Sequence, residues 1–148
     1  MISDHSNLLD YNYITDGLYI GTNQCCQTHF EETLLNEGIE ADISLEEDKV
    51  DQPFGVGFYL WLPVKDKNPP TPDQFQFGVF SLEKFAAMKK KVYIHCRLGH
   101  GRGPTLVAAY LIKQGKGVEE AIEFIRSKRP SIHLEKSQIN ALRSLFKS

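Results

Sequence analysis

Short apolar runs alternate along the chain with segments whose apolar residues recur at helical spacing. This predicts an α/β fold with a central, mostly parallel sheet flanked by helices. Leu18 to Gly21 reads as a strand, Cys26 to Leu35 as a helix ending near Gly38, and Glu40 to Leu45 as a second strand. The acidic stretch from Glu46 to Asp51 then reads as a surface loop. Phe58 to Val64 (FYLWLPV) is a continuous apolar run, the pattern of a buried strand. Thr71, Pro72 and Gln74 supply an N-cap, a first-turn proline and the far end of a capping box. A helix is expected from there to about Lys90, with Phe75, Val79, Leu82, Phe85 and Ala86 facing inward. Lys91 to His95 (KVYIH) reads as the last core strand. After a glycine-rich turn from Cys96 to Gly103, Pro104 opens a helix over Thr105 to Gln114, ended by Gly115. Its run TLVAAYLI is apolar on nearly every side and predicts a central, buried helix. Val118 to Lys128 is amphipathic, with Val118, Ala121, Ile122 and Ile125 inward, and Pro130 stops it. A last helix from about Glu135 packs Ile139, Leu142 and Phe146.

Composition narrows the class. The 148 residues suit a single domain spanning 1–148, and 41% hydrophobic content supports one sizeable core. A formal net charge of −2 argues against a general nucleic-acid binder, whose footprint is a basic surplus. No apolar run approaches a membrane span, and Met1 to Asp10 lacks the apolar stretch of a signal peptide. The expectation is a cytoplasmic protein with no membrane or nucleic-acid partner; the oligomeric state is left open. Cys25, Cys26 and Cys96 are too few and odd in number for a disulfide framework. The vicinal pair has no second Cys/His pair at ligand spacing, so neither a metal nor a cofactor is expected.

The chemistry concentrates in YIHCRLGHGRGPT, where five residues separate Cys96 from Arg102. A strand delivers Cys96 to the carboxyl edge of the sheet, where open α/β folds bind ligands. Gly99, Gly101 and Gly103 let the backbone curl so that successive N–H groups form an anion nest. The following helix aims its positive end at the same point, and Arg102 adds a planar fork that fits phosphate. The same field favours Cys96 as a thiolate nucleophile. Arg97, Leu98, Gly99, His100 and Gly101 complete the expected substrate-binding loop, Arg97 and His100 pointing outward toward an anionic neighbour on the substrate.

His95-Cys96-x5-Arg102 resembles the signature loop of the cysteine-based protein tyrosine phosphatase superfamily. NYITDGLYIG, GIEADISLEE, LPVKD and AIEFIRSKRP lie around it in the order of the small dual-specificity branch. The resemblance implies a phosphoric monoester hydrolase working through a cysteinyl-phosphate. A departing alkoxide needs a proton, and such phosphatases carry their acid in a loop after a strand, where this chain has Asp66. Asp73 is the rival, better explained by the favourable dipole of a helix first turn. The resemblance also implies that His95 hydrogen-bonds within the loop and supports the thiolate. Some relatives use a glutamine in the position of Gln138 to orient the hydrolytic water, although a surface glutamine is the plainer reading. Many members carry Ser or Thr after the arginine, where this chain has Gly103; Thr105 is the nearest hydroxyl.

Three classes follow: a phosphatase of phosphotyrosine and phosphoserine or phosphothreonine in proteins, a phosphatase of a phosphoinositide, nucleotide or RNA end, and a phosphate-binding module. Cys96, Arg102 and Asp66 together disfavour the third. The loop's one fixed positive rim charge, Arg97, and the short chain, which leaves little room for a deep cleft, favour a phosphorylated protein.

Overall fold

The computed structural model describes residues 9–23 and 30–145. Five strands form one sheet: β1 (Tyr11–Thr15), β2 (Leu18–Gly21), β3 (Ile39–Glu46), β4 (Phe58–Val64) and β5 (Lys91–His95). Their order is β1-β2-β5-β3-β4, parallel except for the antiparallel β1–β2 pair. The helices are α1 (Glu32–Asn36), α2 (Pro72–Ala87), α3 (Arg102–Lys113), α4 (Val118–Lys128) and α5 (Lys136–Leu145). Cys25, Cys26 and Phe146 lie outside the described residues, as does the start of the helix predicted from Cys26.

Strand alternation splits the interior in two. Ala41, Ile43, Leu45, Val92, Ile94 and Cys96 face the main core with α2 to α5. Tyr19, Ile39 and Tyr93 face a smaller cluster under α1 with Phe30 and Leu34. α3 is the centre of the main core, buried from Arg102 to Leu111. α2 starts on the predicted capping box: Thr71 accepts from Gln74 N–H, and the Gln74 side chain accepts from Thr71 N–H.

The strand β1 was not anticipated from the sequence, and two readings of the chain need correction. β1 pairs with β2 through a turn at Asp16 and Gly17, whose φ values of 52° and 84° suit Asp-Gly. β4 is not a buried strand but an edge strand: only Leu62 and Val64 are buried, while Phe58 and Trp61 reach solvent. Pro63 fits there, because an edge position needs no second ladder bond. α3 opens at Arg102, before Thr105, so Pro104 lies inside its first turn, where a missing N–H costs no helical bond.

Candidate active site

Cys96 follows the last residue of β5 and is 3% exposed at the base of a cleft of about 200 Å³. The segment from Arg97 to Gly101 curls around it because its carbonyls are all held on the outside. Arg97 O accepts from Asn23 N–H at 3.2 Å and His100 O from His133 N–H at 2.7 Å. Leu98 O and Gly99 O each accept from Arg129 at 3.0 Å. Gly101 O accepts from the Thr105 hydroxyl at 2.6 Å and from Thr105 N–H. A planar peptide points its N–H opposite its C=O, so the amides from Leu98 to Arg102 face the cleft as an anion nest. The N-cap of α3, Gly101, makes no side-chain cap, which leaves the positive helix end to the same space.

The three loop glycines serve different needs. Gly99 adopts φ +71°, and a Cβ there would come within 2.7 Å of Gly21 O. It packs behind the cleft rather than lining it. Gly101 leaves room for Gln138, 3.1 Å from where its Cβ would be. Gly103 is already helical, and a Cβ would make only ordinary contacts, 3.9 Å from Cys96 Sγ. Its N–H donates to Sγ at 3.5 Å. Thr105 does not stand in for the hydroxyl missing at position 103, because its own is spent on Gly101 O.

Arg102 is 5% exposed and braced by the sheet: its Nη1 donates to Val64 O at 2.8 Å and to Leu45 O at 3.4 Å. Nε makes no hydrogen bond and lies 3.7 Å from Asp66 Oδ1. Asp66 itself is exposed on the rim, whereas Asp73 sits in the first turn of α2 away from the cleft. The loop bearing Asp66 is clasped to α5. Ser137 donates to Lys67 O at 2.9 Å, and Gln138 Nε2 donates to Asn68 O at 3.1 Å. Gln138 is therefore no surface glutamine; it is 1% exposed, lines the cleft, and accepts from Glu135 N–H through Oε1.

His95 departs from its expected place. It is on the opposite face of the sheet from Cys96, stacked on Tyr93, and bonds to carboxylates rather than to the loop. Nε2 is 2.7 Å from Asp51 and 3.1 Å from Asp42, and Nδ1 is 3.5 Å from Glu46. Burial works against its positive form, but Asp42, Asp51 and Glu46 together hold the imidazole well above its ordinary range. Burial pushes Asp42 up to about 7 despite the histidine. Burial also acts to raise Asp51 and Glu46, yet hydrogen bonding to His95 leaves both below the usual carboxylate range.

Arg97, Leu98, His100 and Gly101 line the cleft as predicted. Lys67 does so too, although beside Asp66 it reads from the sequence as a solvated surface charge, and so do His133 and Glu135, which were not singled out. Arg129, nearly fully buried and holding Leu98 and Gly99, also escaped it. It follows an amphipathic helix, where an arginine ordinarily means a solvated face; its partners in the loop are backbone carbonyls, which carry no sequence mark, and its side-chain partners, Asn12 and Asp10, stand far off near the start of the chain.

Comparison with known proteins agrees with this geometry. Residues 18–148 match the model of the family described as dual specificity phosphatase, catalytic domain. The phosphatidylglycerophosphatase and protein-tyrosine phosphatase 1 of Mus musculus is 39% identical over 114 residues, 76% of this chain and 59% of that protein. The tyrosine-protein phosphatase yvh1 of Schizosaccharomyces pombe is 35% identical over 94 residues, 60% of this chain and 27% of that protein. The chain thus spans well under two thirds of these relatives' length. Among solved structures, that of PTPMT1 in complex with PI(5)P superposes with a TM-score of 0.79 at 28% identity, covering 91% of this chain and 93% of that one. With the signature loop, its buried arginine and the five-stranded sheet in place, the chain belongs to the dual specificity phosphatase catalytic-domain family and is a cysteine-dependent phosphatase.

Proposed function

We propose that this phosphatase acts on a phosphate monoester carried by a lipid headgroup that bears a second anionic group, and that Cys96, Arg102 and Asp66 perform the reaction. The observation that carries the lipid reading is the rim. Arg97 and His100 stand in the signature loop, and Lys67 and His133 share the cleft edge with them. Lys67 and His133 come from segments far from the loop, so no single stretch of sequence displays all four together. A phosphodiester beside the scissile phosphate would meet that edge. The first of the two activities in the mouse relative's name is of the same class. Phosphotyrosine in proteins is the second reading, favoured by the shallow cleft and by relatives named as tyrosine-protein phosphatases.

In the first step Cys96 Sγ attacks phosphorus while the loop amides and the Arg102 fork hold the equatorial oxygens. Asp66 gives its proton to the leaving oxygen. Water then attacks the cysteinyl-phosphate, with Asp66 taking the proton back, and Sγ leaves as thiolate. The test is a side-by-side measurement of kcat/KM on phosphatidylglycerophosphate vesicles and on phosphotyrosine, phosphoserine and phosphothreonine peptides. The lipid is expected to lead, and Lys67→Glu with Arg97→Glu to lower its value roughly tenfold or more while changing the peptides less. A phosphotyrosine peptide in first place overturns the lipid reading.

Two further results are expected from this mechanism. Among the described residues, the departing sulfur has only the Gly103 N–H, at 3.5 Å, as a hydrogen-bond donor. A hydrogen bond to a charged group is worth ~1.5–3 kcal/mol, about ten- to a hundredfold in rate. Rapid mixing should therefore show a burst of product before a slower steady state. Gly103→Ser fits the space at Gly103, and should raise the steady rate and shrink the burst. Absence of a burst, with no effect of the serine, would mean that the amide alone suffices. The second result concerns the clasp. Ser137→Ala with Gln138→Ala frees the Asp66 loop from α5. Hydrolysis of phenyl phosphate, whose leaving group needs the acid, should fall roughly tenfold, as loss of about 1.4 kcal/mol of positioning implies. Hydrolysis of a nitrophenyl phosphate, which needs it less, should change less than about twofold. Equal losses on both would reduce the clasp to a general structural support.

A further inference from the structure

Behind the catalytic loop, on the face of the sheet opposite Cys96, four ionisable side chains converge: Asp42 and Glu46 from β3, His95 from β5 and Asp51 from the loop after β3. Alternation along β3 puts Asp42, Ser44 and Glu46 on this face, and all three are buried. The Asp42 side chain is fully buried, and neither of its carboxylate oxygens is in hydrogen-bonding geometry with any donor among the described residues. Asp51 Oδ1, Glu46 Oε2 and His95 Nδ1 are likewise without a hydrogen bond. Buried polar atoms left in this way are costly, and each calls for a partner.

The geometry supplies one. One oxygen each of Asp42 and Asp51 and one ring nitrogen of His95 all lie within 4.8 Å of one another. Nε2 faces both carboxylates, at 3.1 and 2.7 Å. A single N–H can be aimed at only one of them. On the far side of the ring, Nδ1 faces Glu46 Oε2 at 3.5 Å, and Asn23 holds the other Glu46 oxygen at 3.2 Å. A carboxylate on one imidazole nitrogen, with the other aimed at two further carboxylates, is the pattern by which an outer group orients a metal-bound histidine.

We propose that Asp42, Asp51 and His95 Nε2 form a site for a divalent transition-metal cation of the zinc class, with Glu46 orienting the histidine. Charge is consistent with this. Lys49 acts on both Glu46 and Asp51. Among the described residues, three carboxylates against that lysine leave two negative charges, which a dication and a neutral imidazole match. The donor set selects among ions: imidazole with carboxylates suits zinc, whereas magnesium and calcium take oxygen ligands alone. Without the cation a proton on His95 takes its place. The site lies outside the phosphate cleft, since none of its residues lines that cleft.

The test uses zinc as the probe and a cysteine-free chain, Cys25→Ser, Cys26→Ser, Cys96→Ser, so that no thiolate competes. Calorimetric titration should give one ion per chain. Asp42→Asn should weaken binding at least about 100-fold, and Glu46→Gln roughly 10- to 100-fold. His133→Ala, in the cleft, should leave it unchanged. X-ray absorption of the loaded chain should show one imidazole in an oxygen and nitrogen shell, with Zn–N about 2.0–2.1 Å. Should Asp42→Asn not fold by circular dichroism, Asp51→Asn, outside the strands, carries the same comparison. No one-to-one binding, or binding indifferent to both substitutions, overturns the site and leaves the cluster as an ion-paired cage around a charged His95.

Discussion

Cys96→Ser is expected to remove turnover by roughly four orders of magnitude or more while leaving inorganic phosphate bound as tightly as before, or more tightly. The two halves rest on different atoms. Chemistry needs a nucleophile, and a serine hydroxyl is weak without a base to take its proton. Neither His95 nor Asp66 supplies that base. His95 is on the other side of the sheet, and Asp66 lies on the rim, where the proposed mechanism uses it as the acid. Binding needs the loop amides, the N-terminal end of α3 and Arg102, none of which the substitution touches. A serine hydroxyl puts no charge against the bound anion, so affinity should hold or rise. Phosphate release from substrate, followed alongside calorimetric binding of inorganic phosphate, separates the halves. Residual activity within a hundredfold of wild type would remove Cys96 as the nucleophile. Lost binding with lost activity would show that the sulfur organises the loop.

The parts of this site that were legible in advance share a physical origin. The apolar run in KVYIH, the glycines after it and the apolar helix beyond place Cys96 and Arg102 by local rules, and the structure puts both in the cleft. The capping box at Thr71 is local as well. What escaped is non-local. Arg129 acts on carbonyls thirty residues away. Gln138 reads as a surface residue until Asn68, seventy residues away, folds over it. The apolar run in β4 suggested burial on both faces. Its exposed members find other uses: Phe58 packs edge-on to Phe85, and Trp61 donates to Glu46 O at 2.6 Å. Two signals were present and unused. Asp16-Gly17 marks the β1–β2 turn, and Asp42 stands between Ala41 and Ile43 in β3, where a buried acid asks for a partner.

Arg102→Lys should lower kcat/KM by roughly a thousandfold, although the charge is kept. The guanidinium does two jobs at once. Nη1 is committed to Val64 O at 2.8 Å and Leu45 O at 3.4 Å, which ties the ends of β3 and β4 to the site. The remaining donors, including the unpartnered Nε near Asp66, are free for phosphate oxygens. A lysine ammonium is a point donor on a flexible stem. If it satisfies the two carbonyls it no longer reaches the phosphate in a fork; if it turns to the phosphate it leaves buried acceptors bare, at ~1–3 kcal/mol each. Removal of one preorganised donor to a developing oxyanion typically costs about 10²–10³ in rate, and here the fork and its bracing go together. The loss should appear in phosphate affinity as well as in kcat, because the ground-state dianion uses the same donors. Arg102→Ala distinguishes shape from charge: added guanidinium should restore part of its activity, and added ammonium should not. A lysine variant within tenfold of wild type, or equal rescue by both cations, would mean that positive charge alone is what the reaction requires of this position.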